Sequence, residues 1–359
     1  MIKVVAAAVA ALAVFFLIVM YIDNHRFVVR RYRVRSDRIR GAFRAVLIAD
    51  LHEKDYGNNN EKLLRRLREL EPDLILVGGD LLVSGLFTNR VRRQLGIKHM
   101  YEGDGMTPLP VEDNEWMKNS IPFAEALTQI APAYFVEGNH ELRLRYDACS
   151  EYARAFDKAL RSTGIHILDN EAVPVLIKGE DTGITLQGLN LPIDYYEKFK
   201  RIILERKVVE QLIGRPDPKR FTVLLTHSPV FFDTYAVWGA DLSLCGHVHG
   251  GLMRLPLIGG VMGTGPNLFP RYSGGLYKAE NRAEDGKDSE GTDRRTGEEI
   301  SGESGEGTGG RISGGTEKGT GRKEPGKMIV TCGLGAHTLP IRIFNPGEIT
   351  VLDFSPERI

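Results

Sequence analysis

Cysteine is scarce in this chain and excess charge is absent. Of 359 residues three are cysteine, Cys149, Cys245 and Cys332, an odd number with neither metal-site nor redox spacing. A disulfide framework and a thiolate metal site are therefore excluded, and the three read as buried thiols. Lys+Arg and Asp+Glu both number 47, so the net charge is zero. The chain thus lacks the basic excess of a nucleic-acid-binding surface, and no nucleic acid is expected as a partner. The apolar and charged fractions, 42% and 26%, are ordinary for a globular protein that buries a core.

Charge is also missing from one long stretch near the N-terminus. Val4 to Ile22 (VVAAAVAALAVFFLIVMYI) is wholly apolar. At a rise of ~1.5 Å per residue it nearly spans a hydrocarbon core of ~30 Å. It exceeds the apolar run of a cleaved signal peptide, and no small-x-small cleavage site follows Tyr21. Residues 1–22 are therefore expected to be a single-pass transmembrane anchor, followed by a juxtamembrane segment and possible first strand at 23–42. Lys3 alone precedes the run, whereas Arg26, Arg30, Arg31, Arg33, Arg35, Arg38 and Arg40 follow it. The positive-inside rule then favours a cytoplasmic bulk, weakly, because Phe27 to Ile39 alternates as a strand does and claims some of those arginines.

From residue 43 to 359 short apolar runs alternate with helical patterns. Phe43 to Ala49 ends at Asp50, and Asp73 to Val77 ends at Gly78-Gly79-Asp80. Between them Leu63, Leu64, Leu67 and Leu70 share one helical face. This βαβ unit puts acids at the carboxyl ends of its strands, where open α/β sheets bind ligands. The pattern recurs from Ala133 to Asn139, from Phe221 to His227 and from Asp241 to His247. Asp194 to Leu212 reads as a long helix, His166 to Lys178 and Ile184 to Gly188 as strands of a second sheet, and Met328 to Cys332 and Ile349 to Phe354 as closing strands. Residues 90–119 lack a clean period and read as an irregular loop near the site entrance. Residues 279–326 are rich in Gly, Glu, Lys, Ser and Thr without an aromatic residue, and read as a low-complexity, disordered insertion.

Five blocks of metal-ligand side chains follow these runs: Asp50-Leu51-His52, Gly79-Asp80, Gly138-Asn139-His140-Glu141, Thr226-His227-Ser228 and Gly246-His247-Val248-His249. Any one His or Asp is ordinarily structural. His247 and His249 carry more weight, because residues i and i+2 of an extended chain point the same way. The ordered set holds Asp, Asn and His ligands enough for two adjacent divalent cations.

On these blocks the chain resembles the calcineurin-like metallophosphoesterases, from about Phe43 to Phe354. The anchor, Gly246 to Pro256 (GHVHGGLMRLP) and Gly333 to Phe344 (GLGAHTLPIRIF) are most similar to its membrane-anchored bacterial branch of UDP-2,3-diacylglucosamine hydrolase-like enzymes. The resemblance implies a four-layer α/β/β/α sandwich, two packed β-sheets flanked by helices. It implies one cation held by Asp50, His52, Asp80 and His249 and a second by Asp80, Asn139, His227 and His247, the Asp80 carboxylate bridging. Such mixed His/Asp/Asn ligation suits Mn, Fe or Zn better than Ca. The cations would activate water for in-line attack at phosphorus, with His140 as the general acid. Many relatives carry an Asp-Arg pair where this chain has Val83-Ser84. The group that orients His140 and the phosphate clamp must then lie elsewhere, with Glu141, Arg143, His337 and Arg342 as substitutes.

The expected function is hydrolysis of a phosphoester or pyrophosphate in a phosphorylated small-molecule or lipid-linked substrate, held near the membrane by the N-terminal helix. A phosphoprotein phosphatase or a nuclease of the same fold is the enzymatic alternative. A non-catalytic metal-binding scaffold is the alternative of another class.

Overall fold

In the computed structural model the described residues are 1–84, 114–146, 150–197, 202–255, 258–263, 268–279, 310–314, 325–336 and 339–357. Helix α1 (Ile2–His25) is apolar and largely exposed up to Ile22, buries Asp23 and Asn24 at its end, and is separated from strand β1 (Phe27–Ser36) by Arg26 alone. Two sheets follow. The larger runs β13 (Gly310–Gly314), β1, β15 (Gly347–Pro356), β2 (Phe43–Ile48), β3 (Leu74–Val77), β4 (Ala133–Phe135) and β5 (His166–Ile167). The smaller runs β12 (Gly275–Lys278), β14 (Lys327–Val330), β9 (Leu242–Cys245), β8 (Phe221–Thr226), β7 (Glu180–Leu189) and β6 (Ala172–Ile177). A short ribbon, β10 (Arg254–Leu255) with β11 (Gly259–Gly260), stands apart.

The central strands β2, β3, β8, β9 and β14 are largely apolar because both of their faces are covered. In β2, Val46 and Ile48 face one apolar layer, whereas Ala45 and Leu47 face another, as a period of two requires. The first layer is closed by α2 (Glu61–Glu69), α3 (Ser120–Thr128) and α5 (Ser150–Ser162), through Leu63, Leu67, Phe123, Leu127, Phe156 and Leu160. The middle layer lies between the sheets and joins Leu47, Leu76 and Leu352 to Leu186, Val223 and Leu244. On the far side α6 (Arg206–Ile213) and α7 (Phe232–Trp238) cover the smaller sheet with Val209, Ile213, Phe232, Tyr235 and Trp238. The result is the expected helix, sheet, sheet, helix layering.

Strands β2, β3 and β4 run parallel, as do β7, β8 and β9, so the carboxyl ends within each set share one edge of their sheet. Asp50, Asp80 and Asn139 follow β2, β3 and β4; His227 and His247 follow β8 and β9.

Asp194 to Leu212 is not one helix: a 3₁₀ turn spans Ile193–Tyr196, Glu197 and Glu205 are extended, and α6 begins at Arg206. Tertiary contact overrides local propensity here, because the Tyr196 ring is drawn in against His227 and His247. Of the irregular loop 90–119, residues 90–113 lie outside the described residues; Asn114–Met117 forms a 3₁₀ turn that buries Trp116 and Met117. The insertion 279–326 also lies largely outside them; within it Gly310–Gly314 pairs in parallel with β1.

Candidate metal centre

The site is built from loops whose backbone is bent into an unusual shape. Asp50, His52, Asp80, His247 and His249 all have φ between 49° and 72°, the left-handed region that costs non-glycine residues about 1–3 kcal/mol each. Main-chain bonds pin these turns to one another. Asp50 N donates to Gly79 O at 2.9 Å, His52 N to Asp80 O at 3.0 Å and Gly246 N to His227 O at 3.1 Å. The glycines allow the close approach: a Cβ on Gly246 would stand 2.8 Å from Ala49 Cβ, and one on Gly138 would overlap the Asp80 carboxylate.

Three overlapping groups of ligand atoms result: Asp50, His52 and His249; His52, Asp80 and His140; and Asp80, His227 and His247, with every atom within 4.8 Å of the others in its group. Seven of the eight candidate side chains therefore meet, and the eighth, Asn139, precedes His140 in the chain. His52 Nε2 lies 3.1 Å from His249 Nε2 and 3.7 Å from Asp80 Oδ2. His227 Nε2 lies 3.1 Å from Asp80 Oδ2, 3.9 Å from Asp50 Oδ1 and 3.2 Å from His247 Nδ1. The groups are buried, apart from a partly exposed His247.

These atoms fit divalent cations. Nδ1 of His52, His227 and His249 lies 3.2, 2.7 and 3.3 Å from the carbonyls of Leu82, Gly78 and Gly335. A hydrogen on each Nδ1 leaves Nε2 as a lone pair turned inward, the arrangement of metal-binding histidines. Two such lone pairs 3.1 Å apart repel unless a positive charge sits between or beside them. Asn139 Oδ1 is buried with no hydrogen-bond partner among the described residues, an orphan acceptor that a cation would satisfy.

Electrostatics point the same way. Burial, with Asp80 adding to it, pushes Asp50 up to about 7 although His227 pulls against it. Burial and Asp80 push Glu141 up to about 8. Asp80 is also penalised by burial, but His227, His140 and His52 outweigh this and hold its carboxyl well below the usual range. Burial would lower His227, yet Asp80 and Asp50 carry it up to about 9. Several acids crowded in a dry pocket are short of positive charge.

The group that meets His140 lies within the Val83-Ser84 pair itself, at Ser84 rather than elsewhere. Ser84 N donates to His140 Nδ1 at 2.8 Å, and Ser84 Oγ donates to His140 O at 2.6 Å. A main-chain donor at Nδ1 puts the ring hydrogen on Nε2. No side-chain pattern signals such a contact, because the amide belongs to any residue but proline. The proposed substitutes do other work. Glu141 accepts from the amides of Asp80, Leu81, Leu82 and Gly138, at 2.8–3.3 Å, and so shapes the loop under Asp80. Arg342 donates to the carbonyls of Cys332, Gly333, Gly335, Asn345 and Pro346. His337 lies outside the described residues.

Sequence reading missed Tyr196. Its ring centroid lies 5.4 Å from that of His247 and 6.0 Å from that of His227. Its hydroxyl is buried without a hydrogen-bond partner among the described residues, and burial, with Asp80, pushes its pKa well up, so the phenol stays neutral. Hidden inside an expected helix, it carried no sequence signal.

Comparison with known proteins agrees with this geometry. The family model described as calcineurin-like phosphoesterase matches residues 43–251, which contain all of the ligand blocks. Phosphodiesterase YaeI of Escherichia coli (strain K12) is 24% identical over 225 residues, 60% of this chain and 64% of its own. Two proteins of Bacillus subtilis (strain 168) are also similar. The uncharacterized protein YpbG is 24% identical over 214 residues, 59% of this chain and 63% of its own, and the uncharacterized metallophosphoesterase YkuE is 20% identical over 263 residues, 72% and 76%. The match spans less than two thirds of the length of YpbG and of YaeI. With more than half its length matched and its strand-end ligands gathered into one buried cluster, the chain belongs to the calcineurin-like phosphoesterase family.

Proposed function

We propose that this protein is a metal-dependent phosphoesterase with a binuclear centre, anchored to a membrane by α1 and acting on a phosphodiester or pyrophosphate. One observation carries the reading: Asp80 belongs to two of the three ligand groups, with His52 and His140 on one side and His227 and His247 on the other. A carboxylate so placed could serve cations on both sides. Asp50, His52, Asp80 and His249 would hold one cation, and Asp80, Asn139, His227 and His247 the other. Bound there, two divalent cations would supply hydroxide near neutral pH and neutralise charge on the phosphoryl oxygens.

The protein's own groups have separate tasks. His140, kept by the Ser84 amide with its hydrogen on Nε2, would donate that hydrogen to the leaving oxygen. The amide at Nδ1 keeps the ring from becoming an imidazolium, and a neutral ring that gave up its proton outright would be left as an imidazolate. A hydrogen bond from Nε2 that strengthens as charge develops is therefore the larger contribution. The phosphate clamp that many relatives have as Arg is replaced by Val83-Ser84, which argues against a phosphoprotein phosphatase. The balanced charge argues against a nuclease.

The name of YaeI, a phosphodiesterase, supports the diester or pyrophosphate class. The apolar α1 supports an amphiphilic substrate, because a domain held at the membrane meets headgroups, and a UDP-diacylglucosamine-type pyrophosphate is its sharpest form. The domain is read as residues 43–359, with 1–22 as anchor and 23–42 joining them, on the cytoplasmic face.

The test uses the full chain in nanodiscs, loaded with Mn, Fe or Zn in turn. Two equivalents of metal by elemental analysis and turnover of a bis-aryl phosphodiester or a lipid-linked pyrophosphate are expected. Asp80→Asn should lose both metals and all turnover. Turnover that survives this change would remove the bridging carboxylate from the reading, and bound metal without turnover on any phosphoester would revive the scaffold.

A further inference from the structure

Beyond residue 25 the large apolar side chains exposed among the described residues are not scattered. Six of the ten, Ile258, Met262, Leu268, Phe269, Leu339 and Phe344, are 38–60% exposed and lie on two adjoining segments. One segment is the β10–β11 ribbon with its flanks, folded back through Leu252 N to Met262 O, Val261 N to Met253 O and Phe269 N to Val261 O. The other is residues 339–344, joined to it through Arg254 N to Ile343 O and Ile343 N to Leu252 O. Clustering of this kind on a soluble face marks an interaction surface.

Helix α1 says what covers it. Its C-terminal end is bolted to the same segment: Asn345 N donates to Asp23 Oδ2 at 2.9 Å, and Asn24 Nδ2 donates to Pro340 O at 2.7 Å. Further up the helix, Phe344 packs on Phe15 and Phe16, ring centroids 6.3 and 6.2 Å apart. Those phenylalanines precede Ile22, the end of the uncharged run, by about 10 Å of helix at ~1.5 Å per residue. A helix inserted over Val4 to Ile22 therefore carries Phe344 well below the level of its own end. Exposed and apolar, Phe344 can be so placed only if its neighbours are lipid.

We propose that this face is seated in a phospholipid bilayer beside α1, so that the domain is partly embedded rather than tethered. The inference rests on the anchoring part of the proposed function and not on its chemistry. It has a consequence for the metal centre. Asn345, next to Phe344, donates through Nδ2 to the carbonyls of His249 and Gly251. Arg342 donates to the Gly335 carbonyl that faces His249 Nδ1. The embedded segment thus also holds a candidate ligand, and fixes the metal centre beside the lipid headgroups.

The experiment reads depth, not activity. The full-length Phe269→Trp variant is reconstituted into phosphatidylcholine–phosphatidylglycerol vesicles with or without brominated acyl chains. Trp116 and Trp238 are buried and provide the background. The brominated lipid should quench the variant clearly more than wild type. Because a substitution can disturb folding, the unmodified chain is also photolabelled with a diazirine-bearing lipid, and adducts should fall on 258–263, 268–269 and 339–344. If the chain floats with the vesicles but shows neither extra quenching nor such adducts, the embedding is wrong and α1 is a simple tether. A dimer formed through this face would give that result. If the chain does not float, the anchor and the embedding fail together. Phosphodiester turnover in the same vesicles reports separately on the hydrolase reading.

Discussion

The two sheets furnish different halves of the site and hold them by opposite means. The larger sheet carries Asp50, Asp80 and Asn139, and its carboxylates are fixed by main-chain N–H groups: His247 N donates to Asp50 at 3.0 and 3.1 Å, and His140 N to Asp80 at 2.8 Å. The smaller sheet carries His227, His247 and His249. Nδ1 of His227 and of His249 faces a carbonyl, of Gly78 and Gly335 respectively. Several of these contacts cross between the halves, because Gly78 follows β3 and His247 follows β9. Neither sheet can shift alone without misaiming the other's candidate ligands. The centre is a clamp whose jaws are aligned by backbone rather than by side-chain pairs.

Removing metal should break the clamp most visibly. Asp50, Glu141 and His227 have folded pKa values raised to about 7, 8 and 9, from ordinary values of 3.8, 4.5 and 6.5. Between about pH 4 and 9 the metal-free folded state therefore binds more protons than the unfolded chain. Its stability must fall as pH rises through that window. Asp80 does not reverse the sign, since its depressed pKa acts only in stronger acid. Thermal melts in a chelator should show this decline, and loading with Mn should flatten it. A chelated protein that is indifferent to pH would mean that the carboxylates are not short of positive charge.

The carboxylate half alone is tested by Glu141→Gln. The amide turns an NH₂ group towards main-chain donors that Glu141 now accepts, at a cost of about 1–3 kcal/mol. Because that loop shapes Asp80, metal affinity should fall by about 10–100-fold, measured by competition with a chromophoric chelator. Unchanged affinity would show that the Asp80 turn needs no support from below.

The smallest effect is expected at Ser84. Ser84→Ala keeps the amide that meets His140 Nδ1 and loses only the Oγ contact, so kcat should change by less than about tenfold. A loss far beyond that would transfer the orienting role from main chain to hydroxyl.

This division also explains what the sequence made legible. The ligand blocks stood out because each ends a run of apolar residues, and a strand buried on both faces has no other reason to finish on Asp or His. The sandwich followed from the same runs. Ser84 could not be read, because its contribution comes from an atom that nearly every residue has. Arg342 looked like an anion clamp and proved to be a knot of carbonyl contacts, since the sequence says nothing of which acceptors converge on a guanidinium. Tyr196 and the broken helix around it share one cause: the imidazoles that attract the ring lie far along the chain.

One junction carries a mechanical implication. With Arg26 alone between α1 and β1, and β1 paired through β15 to the strand that ends before Asp50, there is no swivel between helix and sheet. Torque applied to the helix would be delivered to the floor of the pocket, so a change in its tilt would turn the whole barrel-less scaffold as one rigid lever.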